Sequence, residues 1–278
     1  LLIDKHLSAI SNMPEKSIKK INSKTLVEFE RTPIMSTYLL YLGVGEFEFL
    51  EDKLRNIKIR LVTTKGKKKN AKLSLELTKK FLAEYEKYFG IKYPLPKLDM
   101  LAIPDFAAGA MENWGAITFR ETILLYNAKT SSTRTKQYIA EVISHELAHQ
   151  WFGNYITSRT SSHHWLQESF ATYYGYMVEK EFFGKDYFDN TRKKAKEKSL
   201  KEALKNNNPI ACSYSGSVRK YPKGAMVLDM LKYIVGEEEY RKSIKHYLEK
   251  HAYENVDSED LLIAFHETLG YSLDWFWE

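Results

Sequence analysis

The chain has 278 residues, 44% of them apolar and 28% charged, a globular balance that excludes a charge-dominated disordered segment and leaves room for one large domain or two modest ones. No run of eighteen apolar residues occurs, so the chain carries no membrane segment of its own. The net charge of +6 rests on lysine, 33 of the 42 basic residues, set along amphipathic stretches without interleaved aromatics, which argues against nucleic acid as a partner. One cysteine, Cys212, rules out an internal disulfide framework and leaves the redox compartment open.

The first residues, Leu1-Leu2-Ile3-Asp4-Lys5, have neither an initiator methionine nor a charged lead into an apolar core, so the sequence is expected to begin inside a longer protein. Residues 17–21, 25–29, 37–49 and 57–62 are rich in β-branched and aromatic side chains and punctuated by Pro14, Pro33 and Gly43; they read as antiparallel sheet. The basic run 65–70 reads as a solvated loop before a helix. Residues 71–89 form an amphipathic helix with Leu73, Leu77, Phe81, Tyr85 and Phe89 on one face, stopped by Gly90 and Pro94. Strands are expected at 98–103 and 116–119, with an alanine- and glycine-bearing loop between them. A helix follows over 138–153, where Tyr138, Val142, His145, His149 and Phe152 recur in steps of four and three and Gly153 stands as the C-terminal cap. Helical runs then open at Trp165 and occupy 187–204, 224–234, 237–251 and 258–269, with another start at Ser272. Strands first and helices second predict an α+β fold.

The chemistry centres on His145-Glu146-Leu147-Ala148-His149. Histidines four apart on a helix point the same way and can share one metal ion, while the glutamate between them can lie beside a metal-bound water. A tetrahedral zinc then needs one more protein ligand and an open position. Glu168, nineteen residues past His149 at the start of the next apolar helix, qualifies. Gly109-Ala110-Met111-Glu112-Asn113 lies between two expected strands; its small residues let backbone approach an extended chain, and Glu112 offers a carboxylate to an ammonium group. Tyr221-Pro222-Lys223-Gly224-Ala225 stands 53 residues beyond Glu168, ahead of another apolar helix.

These segments resemble the gluzincin aminopeptidases, the family of aminopeptidase N, the tricorn-interacting factors and leukotriene epoxide hydrolase. Trp151-Phe152-Gly153-Asn154 follows the histidine motif and Phe170-Ala171-Thr172 follows the third ligand as in that family, and residues 109–113 match its exopeptidase signature letter for letter. The resemblance implies a thermolysin-like zinc metallopeptidase domain over 45–278, preceded in 1–44 by the last strands of an N-terminal β-domain. It implies one zinc ion on His145, His149 and Glu168, with Glu146 as general base and Tyr221 as oxyanion donor. Residues 109–113 would bind peptides with a free N-terminus, Glu112 taking the ammonium. The rest of the β-domain, which supplies a further polar side chain to that ammonium, and a C-terminal helical domain are expected only in the full-length protein. Two other readings stand beside it: a lipid-epoxide hydrolase on the same scaffold, and a non-enzymatic module that binds peptide or carries zinc. The sequence departs from the family's usual pattern at 159–165, which holds His163 and His164, and at Gln167 and Ser169, where asparagine and glycine are usual.

Overall fold

In the first sixty residues the extended pattern breaks into shorter pieces than the sequence suggests. The computed structural model describes residues 1–206, 208–212 and 216–277. Asn207, Ser213, Tyr214, Ser215 and Glu278, all within the range expected for the catalytic domain, lie outside the described residues. Strands β1 (Leu2–Asp4), β2 (Ser8–Ser11), β3 (Glu15–Ile21), β4 (Lys24–Phe29) and β5 (Leu42–Gly45) make two small antiparallel sheets, ordered β1-β4-β3 and β2-β5. The continuous strand expected over 37–49 is interrupted by a 3-10 turn at Thr37–Leu39. An asparagine replaces the ladder there: Asn12 Nδ2 donates to the Leu39 carbonyl at 2.8 Å, and the Tyr41 amide donates to Asn12 Oδ1 at 2.9 Å. With backbone groups satisfied by a side chain, the segment needs no neighbouring strand.

Strands β6 (Phe47–Leu54), β7 (Ile57–Thr64), β8 (Lys97–Ile103), β9 (Ala110–Met111) and β10 (Ala116–Arg120) form a five-stranded sheet in the order β6-β7-β8-β10-β9. The antiparallel pairing expected for residues 57–62 holds with β6; on its other side β7 pairs in parallel with β8, because helix α1 (Lys72–Phe89) crosses between them, and β8 in turn pairs in parallel with β10. The central strands bury Ile59, Leu61, Leu98, Met100, Ile117 and Phe119, an apolar filling suited to a sheet covered on both faces. Among them sits a charged cluster. Asp99 is fully buried and accepts from Arg60 Nε and Nη2, each at 2.6 Å, and from Lys97 Nζ at 2.6 Å. Lys97 also donates to the carbonyls of Ser11 at 2.6 Å and Gly115 at 2.7 Å. Burial holds the Lys97 ammonium below the usual lysine range, against the attraction of Asp99.

Helices α2 (Glu121–Leu124), α3 (Thr133–Ala148), α4 (Trp165–Phe183), α5 (Lys185–Lys205), α6 (Gly224–Val235), α7 (Glu237–Lys250), α8 (Ser258–Leu269) and α9 (Asp274–Trp277) follow, with β11 (Thr157–Ser158) pairing in parallel with β12 (Asn255–Val256). Helix α3 begins five residues before the expected start, where Ser132 Oγ accepts the Thr135 amide at 3.1 Å. It ends at Ala148, and Gly153 is not its cap. Tighter bonds from the amides of Gln150 to Leu147 and Trp151 to Ala148 close the last turn instead.

The residues group into two compact units, Leu1–Ala83 with Tyr93–Glu146 and Glu84–Lys92 with Leu147–Glu278. The second has an aromatic core: Phe152 stacks on Phe170 at 4.4 Å between centroids and Phe89 meets Tyr174 edge-on at 4.7 Å. Strand-rich and helical portions together make the mixed α+β fold that the sequence predicts. Among the described residues no helix is long and apolar enough to cross a membrane.

Candidate metal centre and substrate-binding strand

Helix α3 and the turn after it place His145 and His149 one helical turn apart, and Glu168 lies in the first turn of α4, where the helix dipole favours a carboxylate. One ligand atom from each of the three residues lies within 4.8 Å of the other two. His149 and Glu168 are buried, and His145 is half-buried. His149 Nδ1 is 2.9 Å from the Phe152 carbonyl, an atom that only accepts, so Nδ1 carries the proton and Nε2 keeps its lone pair. That Nε2 stands 3.3 Å from Glu168 Oε2. Two lone-pair atoms held this close in a buried site repel unless a cation or proton bridges them. Ligands at about 2.0–2.2 Å from a tetrahedral zinc stand roughly 3.4 Å apart, and two imidazoles with one carboxylate match its donor preference and leave one position open. The residues fit the ion.

Glycine at 153 is a steric requirement. Its φ is +131°, and a Cβ there would meet Gln167 Nε2 at 2.9 Å and His149 Nδ1 at 3.3 Å. The unusual side chains around Glu168 also have partners. Glu168 Oε1 is 3.2 Å from His164 Nε2, and His164 Nδ1 is 3.2 Å from Gln167 Oε1, which also accepts from the Ser158 hydroxyl. His163 instead faces the Ser258 hydroxyl at 2.9 Å. Glu146 is buried at 6% exposure, between the two histidines in sequence.

Tyr221, half-buried, lies in a single π turn, Arg219–Lys223, that leads into α6. Wide turns of this kind recur at functional positions. Ser169, next to Glu168, donates to the Lys220 carbonyl at 2.6 Å and so ties the turn to α4. This link was not legible from residue types, although a glycine at 224 hints at a close approach.

The segment 109–113, expected as a loop, contributes an edge strand. Ala110 and Met111 in β9 pair with Phe119 and Thr118 of β10 at the margin of the five-stranded sheet. The Arg120 amide donates to the Gly109 carbonyl at 2.9 Å. Asn113 is buried, accepting from the Thr118 hydroxyl at 3.1 Å and donating to the Leu39 carbonyl at 3.3 Å. Glu112 is 7% exposed, and the Tyr38 hydroxyl donates to its Oε1 at 3.1 Å. Tyr38 escaped the sequence reading, which assigned its segment only to the closing strands of a β-domain.

Residues 73–278 match the Peptidase family M1 domain. The chain is 41% identical over 268 residues to Probable aminopeptidase 2 of Sulfurisphaera tokodaii, covering 93% of this chain and 34% of that protein. It is 42% identical over 280 residues to Tricorn protease-interacting factor F2 of Thermoplasma acidophilum (97% and 35%) and, over the same length, to Leucyl aminopeptidase of Saccharolobus solfataricus (96% and 35%). The chain thus spans about a third of the length of these relatives. With the domain match covering most of its residues and the His-His-Glu cluster in place, the chain belongs to peptidase family M1, the gluzincin aminopeptidases, a family that is zinc-dependent in general.

Proposed function

We propose that this protein is a zinc aminopeptidase that removes N-terminal residues from peptides, with a thermolysin-like catalytic domain. The grouping of His145, His149 and Glu168 ligand atoms within 4.8 Å carries this reading. These three residues would hold one zinc ion. When bound, zinc supplies a Lewis acid for the scissile carbonyl and lowers the pKa of water at the open position.

The chain's own residues do the rest. The Glu146 carboxylate takes a proton from the attacking water and returns it to the leaving nitrogen. The Tyr221 phenol donates to the carbonyl oxygen as negative charge develops there, an interaction worth more in the transition state than in the ground state. Gly109, Ala110, Met111 and Asn113 position substrate backbone along the sheet edge, which β9 supports by being an edge strand that opens with Ala110 just after Gly109. Glu112 binds the free ammonium, and this restricts cleavage to chain ends. The reading also keeps 1–44 as the closing strands of a β-domain and 45–278 as the catalytic domain; the small sheets use strands only up to Gly45, and the five-stranded sheet begins at Phe47.

The test measures bound zinc by mass spectrometry and hydrolysis of leucyl-4-nitroanilide before and after chelation, then after zinc is restored. Activity that falls with zinc and returns with it, on free but not N-acetylated substrate, is expected. Equal cleavage of the acetylated substrate overturns the exopeptidase assignment.

A further inference from the structure

We infer that Tyr38 is a positioning residue for the substrate ammonium: its hydroxyl fixes the Glu112 carboxylate, so that a side chain outside the matched peptidase domain sets recognition of the free N-terminus. This rests on the reading of Glu112 as the ammonium ligand.

The contact is built, not incidental. Tyr38 lies in the 3-10 turn Thr37–Leu39, and two asparagines hold that turn against the strand region that carries Glu112. Asn12 Nδ2 donates to the carbonyls of both Leu39 and Trp114, each at 2.8 Å, while Asn113 Nδ2 reaches the same Leu39 carbonyl at 3.3 Å. Asn12 and Asn113 are each almost fully buried. The turn and the strand end therefore share a hydrogen-bond frame that places the Tyr38 phenol on Glu112 Oε1 at 3.1 Å. Glycine at 115 is part of that frame: at φ +78° a Cβ would come within 2.4 Å of the Asn12 carbonyl oxygen.

The two ends of the contact differ in exposure. Glu112 is 7% exposed and Tyr38 is 40% exposed. A buried carboxylate needs donors to hold it in one rotamer, and a phenol on one oxygen orients the group toward a cation without supplying competing positive charge. Residues 73–278 form the domain match, and Tyr38 and Asn12 precede it. Recognition of the substrate end thus depends on the segment before the peptidase domain.

The test compares kcat and KM of the full-length protein with those of Tyr38→Phe, Glu112→Gln and the double variant on leucyl-4-nitroanilide. An ammonium contact made equally in ground and transition states appears in KM. Tyr38→Phe is expected to raise KM about tenfold with kcat little changed, and to add nothing further in the Glu112→Gln background. A purely structural loss would lower the active fraction, hence apparent kcat, and leave KM in place. If Glu112→Gln raises KM and Tyr38→Phe does not, the Tyr38 inference is overturned and the Glu112 reading stands. If neither raises KM, the ammonium reading itself is wrong. Additive effects in the double variant also overturn the inference.

Discussion

Ser169 and Gly224 meet so closely that a Cβ added to Gly224 would lie 1.8 Å from the Ser169 hydroxyl oxygen. This contact joins the helix that carries Glu168 to the turn that carries Tyr221. The backbone of Gly224 is ordinary, with φ −65°, so any residue could adopt it, and only space demands glycine.

Gly224→Ala is therefore expected to destabilise the protein by about 1–3 kcal/mol, the usual cost of overpacking, although alanine is the better helix former by about 1 kcal/mol. Adding Ser169→Gly removes the opposing hydroxyl, so the double variant should be more stable than the sum of the two single effects. Thermal unfolding of the four proteins checks this; strict additivity would mean that the contact is not the source of the loss.

Glu146→Gln keeps the shape of the side chain and removes its basic oxygen. Zinc content should stay at the unmutated level while turnover falls by about 10²- to 10⁴-fold. Loss of zinc in parallel with activity would assign Glu146 to holding the metal instead of moving a proton.

His164 holds Glu168 Oε1 at 3.2 Å while Oε2 faces His149. Removing such support from a metal ligand typically weakens binding by about 10- to 100-fold. Competition with a zinc chelator should show that shift in His164→Leu, and the same affinity as in the unmutated protein would leave His164 without a part in the site.

Asp99→Ala leaves the buried side chains of Arg60 and Lys97 without their shared carboxylate. Breaking one partner out of a buried charged group costs about 3–5 kcal/mol. Urea denaturation should report a lower midpoint with little change in slope; a midpoint within experimental error of the original would show that Glu15, 3.6 Å from Arg60, and the carbonyls bonded by Lys97 hold the two cations without Asp99.

Glu267 on α8 is held by hydrogen bonds from Lys250 and His246, which lower its carboxyl from 4.5 to about 2. A depressed folded value means that the stabilisation is present above pH 4.5 and is lost as pH falls toward 2. An NMR titration should place the Glu267 midpoint near 2, and Lys250→Ala should move it upward. An unmoved midpoint in that variant would remove Lys250 as the main cause.

Much of this protein was legible in its residues because the deciding interactions are local. Two histidines four apart share a helix face whatever surrounds them, and the capping aspartate and closing glycine of α8 are set by neighbours within a turn, Asp257 bonding the amides of Glu259 and Asp260 and Gly270 taking φ +75°. The mixed fold class followed from the same periodicities. The sequence also erred where a distant side chain intervened: Asn12 satisfies the backbone around Leu39 and turns an expected strand into a 3-10 turn.

By itself, then, the sequence determined the helical turn that sets His145 and His149 on one side, the apolar β-branched runs that build the central sheet, and the spacing and motifs that made Glu168 and Glu112 candidates. Only the tertiary structure decided that β7 and β8 run parallel, that Ala110 and Met111 stand at a sheet edge, and that Tyr38 meets Glu112 across 74 positions of sequence. The physical reason is range. Periodicity and capping report energies exchanged between residues a few positions apart, whereas strand order, edge position and a phenol on a buried carboxylate depend on which distant backbone and side-chain groups satisfy one another once the chain has folded.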